Sequence, residues 1–546
     1  MYSTRRFALW MFLLVSLASS LRGQVAVETP KEVFFYSDGR HSSVYLYEPP
    51  MGVRQYVEPI DELLDLGVDT ISYAVGDCSV LLYDTKVGER WGHNLDLVSH
   101  IVWYRAGQNA ESMIKRGMDP LRVVCDHAHK RGFKFLPHLL LNMLHTPPNR
   151  VTNSRVADFT TEHPEWQVGP EPDYPAAVHD LPQRLSFAIP EVRNNRLAVV
   201  DELLSDYPTD GIELNFHDYA PFIARKEVAE HTDTMTNWMR QVRLVSDVAA
   251  KAQKRSKRIV ARIAGTLGGN KEMGMDLETW IREGLVDAVI AMPVTTGYES
   301  GTSELREVVK AAEGTEVKVL AGMGNASDDP REVHYAAAAN AYAAGAQGVL
   351  FHTYYPGEHR YPYDDAATSA IRFMGYPDVI AHKNKRFRMS SNPKPDTAPK
   401  YGVTWPLPVE PAVGQIGPVI EIEVADDVRG KAALGELWSC ELRVMIEHMM
   451  YTDRVRLWWN GEEISDEDQR KADWTYHMRP RHPKSYRGYR LHVDLKGGRL
   501  PKAGRNTVRV DVLKKDAKYI EPIRVVEVEV RVNYLSHRNG VLSDER

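Results

Sequence analysis

The sequence predicts a parallel (β/α)8 barrel of the TIM type followed by a C-terminal all-β sandwich. Three observations carry that prediction. Strand-like apolar runs alternate with helical stretches in a regular beat, a Pro-rich polar stretch then interrupts the chain, and beyond it short segments alternate apolar and polar residues with period two. Eight strand candidates precede the interruption, the number that closes a barrel.

The chain opens with MYSTRRFALWMFLLVSLASSLRGQ, a basic start ending in Arg5-Arg6, an apolar run from Phe7 to about Ala18, and small residues at Ser19, Ser20 and Gly23. This pattern predicts a signal peptide over residues 1–23, its apolar run being too short for a comfortable membrane span. Arg5-Arg6 followed by Phe7-Ala8-Leu9 partly matches a twin-arginine signal, although Arg pairs are common in ordinary signals. The mature protein is therefore expected to be secreted or periplasmic, with no membrane span.

The barrel is expected over residues 31–385. Its strands are Val33 to Ser37, Thr70 to Val75, Phe133 to Leu140, Gly211 to Phe216, Ile259 to Ala264, Ala288 to Pro293, Val317 to Gly322 and Gly348 to Thr353. Between them the pattern predicts helices over Val53 to Leu66, Pro120 to Lys130, Pro190 to Leu204, Met235 to Gln253, Leu277 to Glu283, Ser303 to Ala312 and Pro330 to Ala344. Several stop at or just before a glycine, with the next strand a few residues on, as an αβ connection closes. Residues 386–415, "RFRMSSNPKPDTAPKYGVTWPLPVEPAVGQ", read as an extended linker, and residues 416–536 as short period-two strands forming a sandwich with no convincing helix.

The chain of 546 residues carries a formal charge of −6 with both signs interspersed, which asks for neither nucleic acid nor a membrane surface as partner. Cys78, Cys125 and Cys440 are odd in number and scattered, excluding a disulfide framework and a Cys-type zinc site. No cofactor motif stands out, and none is expected.

In a parallel barrel the reactive groups sit at the C-terminal ends of strands and on the loops that follow. The fourth strand and its exit read "DGIELNFHDY". Alternation turns Ile212, Leu214 and Phe216 to the helix layer and leaves Glu213, Asn215 and His217 facing the barrel mouth. An inward carboxylate is costly unless partnered, so Glu213 is the sharpest signal in the chain. Two readings of it stand: a catalytic acid, or the partner of an inward Arg262 on the fifth strand that holds the barrel together.

"FTTEHPEWQ", "IPEVRNNRLAVVDELLSDYPTDGIELNF" and, after the second strand, "YDTKVGERWG" resemble the secreted glycosyl-hydrolase-like family 10 group, over about residues 31 to 385. The resemblance implies a (β/α)8 barrel and carbohydrate as the substrate class. The chain departs from relatives that often carry Asp where it has Asn215. The strand is also distantly similar to the Asp-rich strand of family-18 chitinases, whose acid falls at His217 here. An amide is no nucleophile and histidine is a different acid, so neither assignment carries across.

Glycoside hydrolysis usually takes two carboxyl groups. The fifth to seventh strands end in "ARIAGT", "AMPVTTG" and "AGMGN" without an acid, so partners for Glu213 come from Asp38 after the first strand, Asp77 after the second, Asp218 after the fourth and Glu358 after the eighth. Asp38 and Asp77 lie beside glycines, where most Asp residues simply cap a turn, and Glu358 reads equally as a solvated loop acid. His138, His145, His217 and His352 gather at the mouth, where hydrogen bonding to sugar is expected over metal ligation for want of a metal-spaced pair. Asn142, Arg262, Trp91, Tyr219 and Tyr354 complete the binding candidates, with Tyr36, Tyr73, Tyr355 and Lys86 behind them. In "RVRLWWNGEEI" one of Trp458 and Trp459 is expected inward and one outward.

Three functions follow: a glycoside hydrolase with Glu213 as acid/base, a carbohydrate-binding barrel that has lost hydrolysis, or a different reaction on sugars, such as a lyase step, run by the histidines. The first requires that burial raise the pKa of Glu213.

Overall fold

The computed structural model describes residues 30–77, 80–142, 153–169, 184–218, 220–292, 302–323, 329–352, 363, 365–391, 406–473 and 488–535. The expected signal peptide lies outside them, as do Cys78, His145, Tyr219, Tyr354, Tyr355 and Glu358. Barrel and sandwich belong to one compact unit beginning at Lys31.

The eight expected strands all form, with ends within two residues of those read from the pattern. They are β1 (Glu32–Ser37), β2 (Thr70–Ala74), β3 (Lys134–Leu140), β4 (Gly211–Asn215), β5 (Arg258–Ala264), β6 (Ala288–Met292), β7 (Lys318–Met323) and β8 (Gly348–Phe351). Each pairs in parallel with its sequence neighbours, and β1 pairs with β8 to close the ring. Two apolar layers explain why the strands are nearly continuous hydrophobic runs. Phe34, Tyr36, Leu136, Val260, Ile290, Met292, Leu320 and Leu350 fill the interior. The alternate residues, among them Val33, Ile212, Leu214 and Ile259, pack against the helices.

Two glycines are dictated by close approach. At Gly211 (φ 141°) a Cβ would sit 2.0 Å from the Arg258 carbonyl oxygen on the next strand. At the inward Gly322 of β7 it would sit 2.2 Å from Met292 Sδ. The seventh strand therefore carries no inward acid at that level because the Met292 side chain occupies the space.

The expected helices form over Val53–Asp61, Pro120–Lys130, Pro190–Ser205, Val228–Gln253, Leu277–Arg282, Thr302–Ala312 and Arg331–Ala343. The second illustrates local encoding: Asp119 accepts from the amides of Leu121 (2.8 Å) and Arg122 (3.2 Å), and Pro120 takes the first helical position. A further helix, Ile101–Lys115, lies in what reads as a long loop after the second strand. It buries Ala106, Asn109, Ala110 and Met113, a face with one large apolar side chain among small and polar ones, so its apolar periodicity is faint.

The sandwich forms as two antiparallel sheets. One runs β9 (Lys385–Ser390), β17 (Arg524–Tyr534), β11 (Leu437–Glu447), β15 (Gly488–Asp494) and β14 (Gln469–Asp473) in spatial order. The other runs β10 (Val419–Val424), β16 (Gly504–Lys514), β12 (Arg454–Trp459) and β13 (Glu462–Ile464). Two expectations are corrected. Residues 386–390, assigned to the linker, are an edge strand paired with β17, because Phe387 and Met389 alternate into the sandwich core. The sandwich also contains a one-turn helix, Val428–Ala433, where Asp427 accepts from the Gly430 amide (3.0 Å).

The joint between barrel and sandwich is mostly polar. On the helix Arg331–Ala343, Asn340 accepts from the Ala425 amide (3.0 Å) and donates to the Glu423 carbonyl (3.2 Å), just beyond and within β10. Arg306 pairs with Glu423 (2.6 Å) and Arg388 with Asp329 (2.7 Å). Among the described residues, Ala336 is the barrel residue that enters the sandwich core.

Candidate functional site

The C-terminal mouth of the barrel holds a connected cluster built from five strand ends, β1, β3, β4, β5 and β8. Glu213 on β4 is fully buried. Its Oε1 accepts from Arg262 Nε (2.6 Å) and lies 2.5 Å from Nη2 of the same guanidinium on β5, while His138 Nδ1 on β3 donates to it at 3.0 Å. Burial raises the pKa of this carboxyl, but the charge of Arg262 and the contact with His138 outweigh it and bring it down to about 2. The raised pKa that a proton donor requires is thus replaced by its opposite. Alternation placed Glu213 and Arg262 on facing inward positions, and the structure pairs them.

Arg262 reaches further. Its Nη1 donates to His352 Nδ1 (2.6 Å) just past β8, and its guanidinium lies 4.8 Å from the ring centre of Tyr36 on β1. Tyr36 in turn meets the rings of His138 and His352 at 4.8 and 5.0 Å between centres. Burial lowers the pKa of His352 first and Arg262 second, to about 3; the same two causes lower that of His138. In both imidazoles the neutral form is favoured, and burial keeps the Tyr36 phenol protonated.

Asn215 organises the exit of β4. Its Oδ1 accepts from the amides of His217 (3.0 Å) and Asp218 (2.9 Å), and its Nδ2 donates to Asp218 Oδ2 (2.7 Å) and His138 Nε2 (3.2 Å). His217 Nδ1 donates to Asp218 Oδ1 (3.0 Å). Burial opposes ionisation of Asp218, yet the hydrogen bond from His217 and the nearby charges, Arg262 among them, hold its carboxyl well below the usual carboxylate range. Its side chain is 26% exposed and that of His217 30%, whereas Glu213 has no exposure.

The other candidates fall elsewhere. Asp38 is buried and caps the turn that follows β1, accepting from the amides of Arg40 (3.0 Å) and His41 (2.9 Å) and from the His41 ring. Burial works against its charge, but His41 and Arg40 prevail and keep it ionised. Asp77 lies in a short strand, Gly76–Asp77, just beyond β2. Asn142 does not face the mouth freely: it is fully buried, with its amide spent on the Pro221 carbonyl (3.1 Å) and the Leu185 amide (2.8 Å). Trp91 is 5% exposed, packed in the barrel core with its indole donating to the Trp103 carbonyl (3.0 Å), so it offers no stacking face. Lys86 pairs with Asp206 at the surface (3.2 Å). Asn142 and Trp91 are loop residues whose tertiary neighbours no periodicity reveals. Arg40, His41 and Ser72, the last inward on β2 and acting on Glu213, also belong to these networks; two basic residues directly after Asp38-Gly39 are the sequence signal for the first two.

One cluster of metal-ligand type occurs among the described residues, Glu89, His93 and Asp158. Glu89 there is spent on the amides of Asp158 (2.7 Å) and Phe159 (2.8 Å), capping the helical turn that follows. In the sandwich Trp459 points inward and Trp458 outward, as alternation predicts, but Arg509 covers Trp458 at 4.2 Å and Asp511 accepts from its indole (2.7 Å).

The family description Glycosyl hydrolase-like 10 matches residues 41–327, spanning β2 to β7 and the whole of the β4 exit. Among curated relatives, glycosyl hydrolase DigH of Escherichia coli (strain K12) and that of Shigella flexneri are each 27% identical over 194 residues, covering 33% of this chain and 38% of the relative. The chain therefore spans well under half the length of the curated relatives it matches. Similar solved structures include alpha-L-fucosidase isoenzyme 2 from Paenibacillus thiaminolyticus, at 14% identity and a TM-score of 0.41 over 64% of this chain and 49% of that one. Another is the GH36 alpha-galactosidase AgaB from Geobacillus stearothermophilus, at 11% identity and a TM-score of 0.35 over 94% and 56%. With a closed eight-stranded barrel and a family match over more than half of its length, the chain belongs to the glycosyl hydrolase-like 10 family.

Proposed function

We propose that the barrel mouth binds and hydrolyses a poly- or oligosaccharide outside the cytoplasm, with Asp218 as the ionised carboxylate of the reaction and Glu213 as a positioning residue. The observation that carries this reading is the contrast between the two acids. Asp218 is held charged at a strand end and reaches solvent, while Glu213 is charged, enclosed and committed to Arg262. An ionised carboxylate suits attack on the anomeric carbon, or on it through an activated water. Proton donation to the leaving oxygen is assigned to Asp77, which follows β2 in the sequence, or to Glu358, which follows β8 in the sequence. His217 and His352 supply hydrogen bonds to sugar hydroxyls.

The second reading, a binding barrel without hydrolysis, is favoured by one feature: Glu213 and Asp38 are both spent on basic partners. A panel of soluble polysaccharides, assayed for new reducing ends and for retention of the protein in a glycan-containing gel, separates the two. Hydrolysis by the wild type that survives in Glu213→Gln at the same pH optimum but is lost in Asp218→Asn supports the proposal. Retention with no reducing ends on any glycan supports the binding barrel.

A further inference from the structure

We propose that Glu213, Arg262 and His352 form a relay whose product is a fixed, non-titrating N–H donor, His352 Nε2–H, presented to a ligand oxygen at the barrel mouth. This rests on the reading of the mouth as a carbohydrate site and adds a residue and a role to it. The chain of contacts runs in one direction. Glu213 Oε1 takes Arg262 Nε–H (2.6 Å) and so fixes the guanidinium plane, and Arg262 Nη1–H then points at His352 Nδ1 (2.6 Å).

Arg262 is a donor only, so His352 Nδ1 must be the bare, accepting nitrogen, and the ring proton must sit on Nε2. Among the described residues no hydrogen bond uses that Nε2, and the residue is partly exposed. The groups facing the ring, among the described residues, are Arg262 from β5, Asp218 and His217 from the β4 exit, His138 from β3 and Tyr36 from β1. Protonating Nδ1 would set two donors against each other at 2.6 Å beside a buried cation, so the imidazole stays neutral where a free histidine titrates. His138 is fixed in the opposite sense, Nδ1–H to Glu213 and Nε2 accepting from Asn215, and has no proton left to offer the mouth. His352 is thus a neutral donor to a hydroxyl or ring oxygen, and neither an acid nor a base.

The test is heteronuclear NMR of the full chain with 15N-labelled histidine rings, the His352 signal being assigned by its disappearance in His352→Gln. The expected result is one bare and one protonated ring nitrogen, with the proton on Nε2 and no titration between about pH 8 and about pH 5, across the ordinary imidazole range. In Arg262→Met, His352 is expected to titrate in that window and to populate both tautomers. A wild-type His352 that carries its proton on Nδ1, or titrates near the ordinary value, overturns the inference, whatever becomes of the variant. For the ligand side, gel retention on the soluble glycan that holds the wild type most strongly should survive in His352→Gln, whose amide keeps an N–H, and weaken about tenfold in His352→Leu. Equal weakening in both variants overturns the donor role. A failure of wild-type retention on every glycan falls instead on the carbohydrate reading, since the NMR result requires no ligand.

Discussion

Asn215 is an amide because its position asks for a donor and an acceptor at once. Nδ2 serves Asp218 and His138 while Oδ1 takes two backbone amides. An Asp there would face Asp218 with like charge and leave His138 Nε2 without its donor. Asn215→Asp is therefore expected to cost about 2 to 3 kcal/mol in urea unfolding, with Asn215→Ser milder. An unchanged midpoint would refute the assigned network. For Glu213→Gln the larger loss is expected, about 3 to 5 kcal/mol, because a buried guanidinium is left without its charge partner.

The pH dependence follows from the same residues. Glu213 has its pKa depressed from 4.5 to about 2, so its pairing stabilises the fold fully above the ordinary value and fades as pH falls toward about 2. His352 and His334, each lowered from 6.5 to about 3 with burial as the leading cause, favour folding above 6.5 and lose that advantage as pH falls toward about 3. All three signs agree. The urea midpoint should be flat near pH 8 and decline steadily below about pH 6, and a midpoint that held constant into the acid range would contradict the protonation states assigned here. Little of this was legible in advance. Alternation brought Glu213, Asn215 and Arg262 to the mouth, but nothing in the pattern decided between a catalytic Glu213 and a paired one, since the choice turns on a distance across two strands.

At the scale of elements, the eight strands were readable because both their faces are apolar, and most helices because glycine or an Asp-Pro start marks their ends. The helix Ile101–Lys115 was not, since it buries alanines and Asn109 in place of a leucine stripe, and Asn109 earns its burial through bonds to Met51, Val44 and Tyr47. β9 was hidden by the prolines that follow it; only pairing with β17, far along the chain, makes it a strand. The helix Arg331–Ala343 carries the joint through Asn340, whose amide replaces a backbone partner for the end of β10. Asn340→Ala should destabilise the chain by about 1 to 3 kcal/mol, the cost of two buried groups left unpaired. Loss in the sandwich's unfolding alone, with the barrel's unaffected, would show that the joint does not couple them.

At the scale of the molecule, Ala336 of the barrel enters the sandwich core, and hydrogen bonds and ion pairs cross the joint beside it. Such a polar joint resembles those between separable domains. A chain ending at residue 382 is expected to retain a folded barrel with reduced stability, seen as native near-ultraviolet circular dichroism with an earlier urea midpoint; an unfolded product would mean that the sandwich completes the barrel core. The central claim is chemical: the mouth acts through Asp218, with Glu213 behind it as an anchor. The most direct test is the rate of reducing-end release from the best polysaccharide of the panel by Asp218→Asn, compared with wild type of equal circular dichroism. The account predicts a loss of about a hundredfold or more, and turnover within a factor of about two of wild type would contradict it.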